Sequence, residues 1–254
     1  MSRQWTQSVV VITGASQGIG RAYALECARL GAHVHACARD EQALASLVAQ
    51  HPNQIVAHPM DVTREEDVER VAGAVGARHG RVDVLMLNAS TLGLSSTALV
   101  DYDTDVFRRT LDVNTTGTFV CMKHFGPWLA RSTDALCAVV SSSVGRKGRG
   151  MWGAYSASKF GAEALVDIAA DEWEQQGTAC ISINPGGTAT AMRAQAYPDE
   201  DPETLPSAQQ VAQTFLLLTS CVGMAHTKAR YNSRDLFDWL DADAPVDPEQ
   251  LPRA

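Results

Sequence analysis

The sequence lacks an excess of basic residues, a long apolar run and the pattern of a secretory leader. Its formal net charge is −8 at pH 7, which argues against general nucleic-acid binding, because that function needs a basic face. No apolar run approaches the ~20 residues of a membrane-spanning helix. Residues 1–11 lack the basic-then-apolar layout of a signal peptide. We therefore expect neither a nucleic-acid partner nor a membrane partner.

The sequence also lacks a Cys-x-x-Cys motif and histidines with metal-ligand spacing, so we expect no bound metal. His33 and His35 are predicted to be strand residues rather than ligands. The six cysteines are scattered, mostly among apolar residues, as is typical of buried free thiols: Cys27, Cys37, Cys121, Cys137, Cys180 and Cys221. Free thiols indicate a reducing compartment, and we predict a cytoplasmic location.

Apolar runs and helical patterns alternate along the 254 residues, without a repeat or a linker. The length fits one α/β domain over residues 1–254. The predicted strands are 8–13, 33–37, 54–59, 82–88, 136–141 and 179–184, with a further strand within 224–230. One predicted helix follows the first strand and ends at about residue 30. The other predicted helices cover 40–50, 63–79, 102–114, 116–131 and 153–176. This alternation predicts an α/β fold, a doubly wound parallel sheet with helices on both faces.

Helix starts and loop composition give further predictions. Asp40 is placed to cap a helix, and Thr63 with Glu66 three residues later resembles a capping box. Residues 191–207 include a stretch rich in proline and acidic residues, which we expect to form a substrate lid. Residues 240–254 are acidic and contain prolines, so we expect a flexible tail there.

The first predicted strand leads into the turn Thr13-Gly14-Ala15-Ser16-Gln17-Gly18-Ile19-Gly20, which opens a helix. Glycines let a backbone approach a diphosphate closely, and a helix N-terminus offers free N–H groups and the positive end of its dipole. A glycine pattern alone is weak, but between a strand and a helix it is typical of a dinucleotide site. We therefore predict a Rossmann-like fold with cofactor contacts from Gly14, Ser16, Gln17, Gly18, Ile19 and Gly20.

The end of the second predicted strand indicates which dinucleotide is bound. An acid at this point often holds the ribose hydroxyls of NAD, whereas an arginine suits the 2′-phosphate of NADP. The sequence has Ala38 followed by Arg39, and the adjacent Asp40 is assigned to the helix cap. Arg39 therefore predicts NADP(H), with a solvated surface charge as the alternative.

Tyr155 and Lys159 lie four residues apart, so they share one face of the predicted helix. A free phenol has a pKa of about 10, and lowering it by about three units takes roughly 4 kcal/mol. An ammonium about 4 Å away supplies roughly that energy at an effective dielectric constant near 20. The pair therefore predicts a tyrosine that transfers protons, with its pKa lowered by Lys159.

With these residues, the chain resembles the short-chain dehydrogenase/reductase family over residues 8–190. Tyr155 and Lys159 match the catalytic pair of the family, Ser142 its serine and Asn114 its asparagine. In the family the asparagine anchors a water that links the lysine to solvent. The resemblance implies further cofactor contacts by Asp61, Val62, Asn88, Ala89, Tyr155, Lys159, Pro185, Gly186, Thr188 and Thr190.

The resemblance also has open points. Ser141 and Ser143 flank Ser142, and the sequence leaves a shift by one position open. The family's Asn-Asn-Ala-Gly reads Leu-Asn-Ala-Ser here, ending at Ser90, and the usual last strand with its glycine pair is not recognisable. Family helices at 116–131 and 153–176 pair subunits, which implies a homodimer or homotetramer. Here these helices carry many small residues: Ala154, Ala157, Gly161, Ala164 and Ala169.

The predicted function is the NADPH-dependent reduction of a ketone or aldehyde, or the reverse oxidation, with Tyr155 as proton donor. An NAD-linked alcohol dehydrogenase and a non-catalytic dinucleotide sensor are the alternatives, since fold alone does not fix function. An apolar substrate pocket is expected from Met151, Trp152, Met192 and Tyr197, with plain packing as the alternative for Trp152.

The loop between Ser142 and Tyr155 raises a hypothesis about substrate charge. Arg146, Lys147 and Arg149 place three positive charges within four residues of an acidic chain. Cations at the mouth of the site would raise the local concentration of an anionic substrate. The alternatives are a solvated loop, or pairing of these cations with the acidic lid at Asp199, Glu200 and Asp201.

Overall fold

The computed structural model describes residues 3–240 and 246–254. Within them, seven parallel strands form one sheet in the order β3-β2-β1-β4-β5-β6-β7. The strands are β1 Val9–Thr13, β2 His33–Ala38, β3 Ile55–Pro59, β4 Val84–Leu87, β5 Ala135–Val140, β6 Thr178–Asn184 and β7 Arg230–Asn232. The predicted α/β fold with a parallel sheet is confirmed.

Helices cover both faces of the sheet. They are α1 Gly18–Arg29, α2 Glu41–Val48, α3 Glu65–His79, α4 Thr104–Leu111, α5 Gly117–Leu129, α6 Gly153–Trp173, α7 Ala191–Ala196 and α8 Ala208–Cys221. Short 3₁₀ turns lie at Leu99–Asp101, Ser143–Gly145, Glu174–Gln176, Pro202–Thr204, Met224–His226, Ser233–Trp239 and Pro248–Gln250. No helix of the described residues is both long and apolar enough to cross a membrane.

Side chains of each central strand alternate between two apolar cores. Val10 and Ile12 of β1 join the core under α1 and α8, whereas Val9 and Val11 join the core under α3, α5 and α6. Burial on both faces explains why the strands read as continuous apolar runs. The strand order reverses between β1 and β4, and a crevice forms at the carboxyl ends of strands at such a point.

The seventh strand begins later than the sequence predicts. Residues 224–226 form a 3₁₀ turn instead, and β7 pairs with β6 from Arg230 onward. Lys228 explains the difference, because its φ of 65° is left-handed and incompatible with a continuing strand. The β7 strand therefore reaches only the carboxyl half of β6.

One predicted helix cap is confirmed and one is wrong. The Asp40 carboxylate accepts a hydrogen bond from the Ala43 N–H at 2.9 Å, as expected for the cap of α2. The predicted capping box of Thr63 does not form, because the Thr63 N–H and hydroxyl both donate to the Asp61 carboxylate. Helix α3 therefore starts at Glu65, after an Arg64 that provides no side-chain cap.

The predicted lid and tail are both structured where the structure describes them. The segment 191–207, whose role as a lid stays a prediction, contains α7 and the turn Pro202–Thr204, and a β-bridge joins Ala189 to Ser207. Residues 241–245 of the expected flexible tail lie outside the described residues. The rest packs on the fold, since Leu251 is buried and the Ala254 N–H donates to the Arg230 carbonyl at 2.7 Å.

All six cysteines carry free thiols. Five are buried, and burial raises the pKa of the Cys121 thiol to about 12. A buried thiol that stays protonated is a poor nucleophile. These cysteines therefore act as apolar packing residues, and the cytoplasmic location stays a prediction.

A cluster of histidines, unnoticed in the sequence, lies between β2, β3 and α3. His35 contacts His58 through Nδ1 at 2.8 Å and His79 through Nε2 at 2.9 Å. Since its two ring nitrogens serve different partners, they do not converge on one ion. Among the described residues, no group of three or more histidine, cysteine or acidic side chains is arranged to hold a metal. His33 and His35 are strand residues, as predicted.

This cluster predicts a loss of stability in mild acid. Burial, followed by nearby positive groups, lowers the pKa of His35 to about 3 and that of His58 to about 4. Unfolded histidine has a pKa of about 6.5, so the unfolded chain binds protons first as pH falls. Above pH 6.5 the free energy of unfolding should keep the full contribution of these neutral histidines. Below it, His35 alone should remove up to about 1.4 kcal/mol per pH unit until its folded pKa is reached.

The measurement is urea unfolding of wild type and His35→Gln between pH 8 and pH 4.5. The pH slope should flatten in His35→Gln, which keeps a polar side chain but does not titrate. His51→Gln, in the turn after α2, serves as the control and should keep the wild-type slope. An unchanged slope in His35→Gln would show that acid sensitivity arises elsewhere.

Candidate active site

Tyr155 and Lys159 occupy the first two turns of α6 and face the end of β5. Lys159 is 3% exposed, and its ammonium donates to the Val140 carbonyl at 2.8 Å. The ammonium lies 5.6 Å from the centroid of the Tyr155 ring. The helical spacing of the two residues therefore brings them onto one face, directed at the last residue of β5.

Ser142 follows β5 and faces the same phenol. Its backbone is extended, and its hydroxyl accepts from the Val144 N–H at 3.4 Å. Burial raises the pKa of Tyr155, and hydrogen bonds with Ser142 and Ser90 offset part of that rise. Ser143 is exposed to solvent. The geometry thus favours Ser142 over a neighbouring serine as the partner of Tyr155.

The Tyr155 pKa departs from the expectation based on spacing. Burial raises it to about 12, although hydrogen bonds from the two serines lower it in part. Burial also lowers the pKa of Lys159 to about 8, and the negative charge of Glu163 offsets some of this effect. The direction for Tyr155 differs from the prediction because both groups are desolvated and the ammonium points at the Val140 carbonyl.

Asn114 lies in a π-helical turn, Asp112–Thr116, that joins α4 to α5. The sequence predicts two helices here but not this turn, which is a feature often found at functional sites. Asn114 is 1% exposed, and its amide donates to the Ser158 hydroxyl at 2.9 Å and to the Thr91 carbonyl at 2.8 Å. The side chain therefore ties the loop after β4 to α6, between Tyr155 and Lys159. Its role in anchoring a water stays a prediction.

The glycine turn is tight enough to require its glycines. Gly14 has φ of 65°, and a Cβ there would lie 2.9 Å from the Ala89 Cα. A Cβ on Gly20 would lie 2.5 Å from the Gly14 carbonyl oxygen. The Asn88 amide donates to the carbonyls of Thr13 and Gly14, both at 3.0 Å. Asn88 and Ala89, predicted to contact the cofactor, therefore also hold this turn in place.

The start of α1 is open to an anion. Gln17 precedes the helix without a side-chain hydrogen bond to it, and the first turn contains no acid. The N–H groups of Gly18, Ile19 and Gly20 lack partners within a helix by geometry alone. This combination suits a diphosphate group, as the sequence predicts for the turn that also contains Ser16.

The segment after β6 closes over the glycine turn. Gly186 has φ of 71°, and its N–H donates to the Asn184 side chain at 3.1 Å. A Cβ on Gly18 would lie 3.5 Å from the Thr190 methyl, so the two segments meet. Thr190 therefore lies beside the glycine turn, and the other predicted contacts that follow β6 belong to the same segment: Pro185, Gly186 and Thr188.

The other predicted cofactor contacts lie at the ends of β2 and β3. Arg39 is exposed immediately after β2, while the Asp40 carboxylate is used for capping α2. Burial alone would raise the pKa of Asp61, but hydrogen bonds from Thr63 and the guanidinium groups of Arg39 and Arg109 lower it overall. Arg109, not singled out in the sequence, therefore belongs to this group. Val62 is buried beside α5.

The Trp152 ring lies close to both Tyr155 and Tyr197. The Trp152 ring centroid lies 5.8 Å from that of Tyr155 and 5.9 Å from that of Tyr197 at the end of α7. The Arg193 guanidinium stacks 3.9 Å over the Tyr197 ring and pairs with Glu200. Within the predicted lid, Arg193 therefore pairs with Glu200, and Tyr197 contacts Trp152, which itself lies beside Tyr155.

Of the three cations in the loop between Ser142 and Tyr155, one is held by an ion pair and two are exposed. Arg146 is directed inward and pairs with Glu163 at 3.1 Å, whereas Lys147 and Arg149 are exposed. Pairing of Arg146 with the acidic lid, one of the sequence alternatives, does not form, and Arg146 is not available to steer a substrate. The signal missed in the sequence was Glu163, an acid one turn beyond Lys159 on the same helix face.

Comparisons with known proteins agree with this geometry. The family model described as short chain dehydrogenase matches residues 8–201. The uncharacterized oxidoreductase YciK of Escherichia coli strain K12 is 36% identical over 217 residues, covering 83% of this chain and 85% of that protein. The NADPH-dependent pterin aldehyde reductase of Arabidopsis thaliana is 32% identical over 180 residues, covering 70% of this chain and 73% of that protein.

Solved structures extend the likeness to nearly the whole fold. A crystal structure of an Escherichia coli CFT073 protein complexed with NADPH has a TM-score of 0.83 and 32% sequence identity, covering 91% of this chain and 98% of that one. The resemblance inferred from the motifs is therefore confirmed, and the chain belongs to the short-chain dehydrogenase/reductase family of oxidoreductases.

Proposed function

We propose that the protein is an NADP(H)-dependent oxidoreductase that reduces a ketone or an aldehyde, or oxidises the corresponding alcohol. The observation that carries the proposal is the meeting of Ser142, Tyr155 and Lys159 at the carboxyl edge of the sheet. A dinucleotide sensor without catalysis would have no need of these three groups together. The cluster therefore favours an enzyme.

The three side chains divide the chemistry among them. When bound, the dinucleotide supplies the hydride. The Ser142 hydroxyl donates a hydrogen bond to the substrate oxygen and stabilises the negative charge that develops there. Tyr155 gives its hydroxyl proton to that oxygen as general acid. The buried ammonium of Lys159 then stabilises the tyrosinate that remains.

The protonation states favour reduction at neutral pH. With a pKa of about 12, Tyr155 carries its proton at pH 7 and is ready to donate it. Lys159, with a pKa of about 8, is mainly the ammonium there. Oxidation of an alcohol needs the tyrosinate as base, which becomes common only at higher pH. We therefore rank an alcohol dehydrogenase working in the oxidative direction second.

The residues present fit NADP(H). The uncapped start of α1 and the tight glycine turn would hold the diphosphate, and the segment after β6 would contact the nicotinamide half. Arg39 would hold the 2′-phosphate, because it is exposed after β2 at a point where NAD sites often have an acid. The NADPH-bound structural neighbour supports this choice.

Two aromatic side chains and two exposed cations indicate the kind of substrate. Trp152 lies beside Tyr155, and Tyr197 lies beside Trp152. Both rings would pack against the apolar part of a small carbonyl compound. Met192 is half-buried on the same lid helix, whereas Met151 is exposed. Lys147 and Arg149 remain exposed in the loop between Ser142 and Tyr155, so the proposed preference for anionic substrates rests on these two cations.

One experiment tests these points together. NADPH and NADH are titrated separately by fluorescence, and turnover is measured with a carbonyl panel that pairs a neutral ketone with its carboxylated analogue at low and high salt. We expect tighter NADPH binding, reductase turnover, and a gain for the anionic compound that disappears at high salt. Binding without any turnover would favour the sensor, and a preference for NADH the NAD-linked enzyme.

We also propose a homo-oligomer that pairs through α6. Its outer face carries exposed apolar residues at helical spacing, while Ala154 and Ala169 belong to the core. Phe160 is 44% exposed and Ile168 51% exposed, and Phe119 on α5 is 48% exposed. Burying such side chains against a second copy would stabilise association by roughly 25 cal/mol per Å² of apolar surface.

Replacing Phe160 with aspartate should therefore weaken association. The variant places a charge in the apolar stripe, so its mass by light scattering at micromolar concentration should shift toward that of a monomer. Ala45→Asp, which adds the same charge to an exposed position on α2, should leave the mass unchanged. A monomeric wild-type protein would contradict the proposal.

A further inference from the structure

The segment that carries Ser142 is fastened along α6 at three successive points. The Ser156 hydroxyl donates to the Val144 carbonyl at 2.6 Å. Gly145 passes so close to Lys159 that an added Cβ would lie 2.7 Å from the Lys159 Cβ. Arg146 then pairs with Glu163, so the segment follows one face of the helix from the turn of Tyr155 onward.

The third point is the most extensively bonded. The Arg146 guanidinium donates through Nε to Glu163 at 3.1 Å, through Nη1 to the Asn232 side chain at 3.1 Å, and through Nη2 to Ser182 and the Tyr231 carbonyl, both at 3.3 Å. Glu163 is 5% exposed and also accepts from Ser182 at 2.8 Å and from Arg230 at 3.0 Å. Such directed bonding suits a planar guanidinium fork.

The same network reaches the segment that follows β6. The Asn232 side-chain oxygen, which accepts from Arg146, also accepts from the Asn184 amide at 3.0 Å. The Asn184 oxygen in turn accepts from the Gly186 N–H at 3.1 Å. Arg146 therefore connects the Ser142 segment, the helix of Tyr155 and the proposed nicotinamide segment.

We propose that Arg146 and Glu163 are positioning residues that hold the Ser142 hydroxyl in reach of the Tyr155 phenol and the substrate oxygen. Arg146 lies four residues from Ser142, and Glu163 eight residues, or about two helical turns, from Tyr155. Their ion pair thus sets the distance between the Ser142 hydroxyl and the Tyr155 hydroxyl. This inference rests on the proposed carbonyl reduction.

Arg146→Met tests the inference without leaving a lone buried charge, because Glu163 keeps Arg230 as partner. With a neutral ketone, kcat should fall about 10- to 100-fold, since a misplacement of about 1 Å at a reacting centre costs about 100-fold. The NADPH dissociation constant should change by less than about threefold, because the arginine does not contact the glycine turn and reaches the proposed nicotinamide segment only indirectly, through Asn232 and Asn184.

Arg81→Met is the matched control. Arg81 also pairs with a buried carboxylate, Asp83, and also donates to a backbone carbonyl, that of Gln7, but at the amino-terminal edge of the sheet. The control should lower the melting temperature comparably while leaving kcat within about twofold of wild type. Equal loss of kcat in both variants would reduce Arg146 to a general structural role and overturn the inference.

A double-mutant cycle identifies the route of the effect. In a Ser142→Ala background, Arg146→Met should cost less than about threefold in kcat, because a group acting through Ser142 has nothing left to position. Full additivity of the two losses would overturn the inference. Failure of wild type to reduce any carbonyl of the panel would instead refute the proposed function, and the two failures are thereby distinguished.

Discussion

Replacing Tyr155 with phenylalanine should lower kcat for carbonyl reduction by about 100- to 10,000-fold, the range that general acid catalysis supplies. The variant keeps the ring that packs against Trp152 and loses only the hydroxyl that faces Ser142. Dinucleotide binding should remain within about threefold of wild type, because the glycine turn and Arg39 are untouched. The loss should therefore appear in the chemical step.

Single-turnover kinetics with saturating NADPH measure this step directly, and fluorescence titration measures binding. Tyr23→Phe is the matched control, because it also removes a buried hydroxyl, one that bonds to Thr219 at 2.9 Å on the other face of the sheet. It should reduce stability but not turnover. Near-normal turnover of the Tyr155 variant would mean that another group delivers the proton.

The parts of the fold that were predicted correctly follow from local patterns. Strands such as Val9–Thr13 are buried on both faces, so their residues are apolar without interruption and stand out in the sequence. Tyr155 and Lys159 are joined by one helix, so their spacing fixes their common face. Asp40 caps α2 through a bond three residues away. Each of these features depends on neighbours in the chain.

The errors arise where a competing contact outweighs the expected one, whether its partner is near or distant in the chain. Thr63 could have capped α3, but the Asp61 carboxylate takes its N–H and hydroxyl. The charge of Arg146 suggested a solvated loop, whereas Glu163 and a carbonyl of β7 draw it inward. The expected direction of the Tyr155 pKa was wrong because spacing gives the distance to a charge but not the burial of both groups.

Arg39 offers the second large effect, a change of cofactor preference. It follows β2 directly, is exposed, and shares the neighbourhood of Asp61 with Arg109. A charged hydrogen bond of this kind contributes about 1.5–3 kcal/mol, and every 1.4 kcal/mol is about tenfold in affinity. Arg39→Asp should therefore weaken NADPH binding about 10- to 100-fold, and repulsion between the new carboxylate and the 2′-phosphate adds to the loss.

Binding of NADH should change by less than about threefold in the same variant, because NADH has hydroxyls where NADPH has the phosphate and an acid can accept from them. Parallel fluorescence titrations of both dinucleotides, at low and physiological salt, give the ratio of the two dissociation constants. Arg131→Asp, an equal charge change in the exposed turn after α5 at the opposite edge of the sheet, controls for net charge and should leave that ratio unchanged. Equal losses for both dinucleotides in Arg39→Asp would mean that Arg39 does not read the 2′-phosphate, and the assignment of NADP(H) would then have to rest on Arg109 or be abandoned.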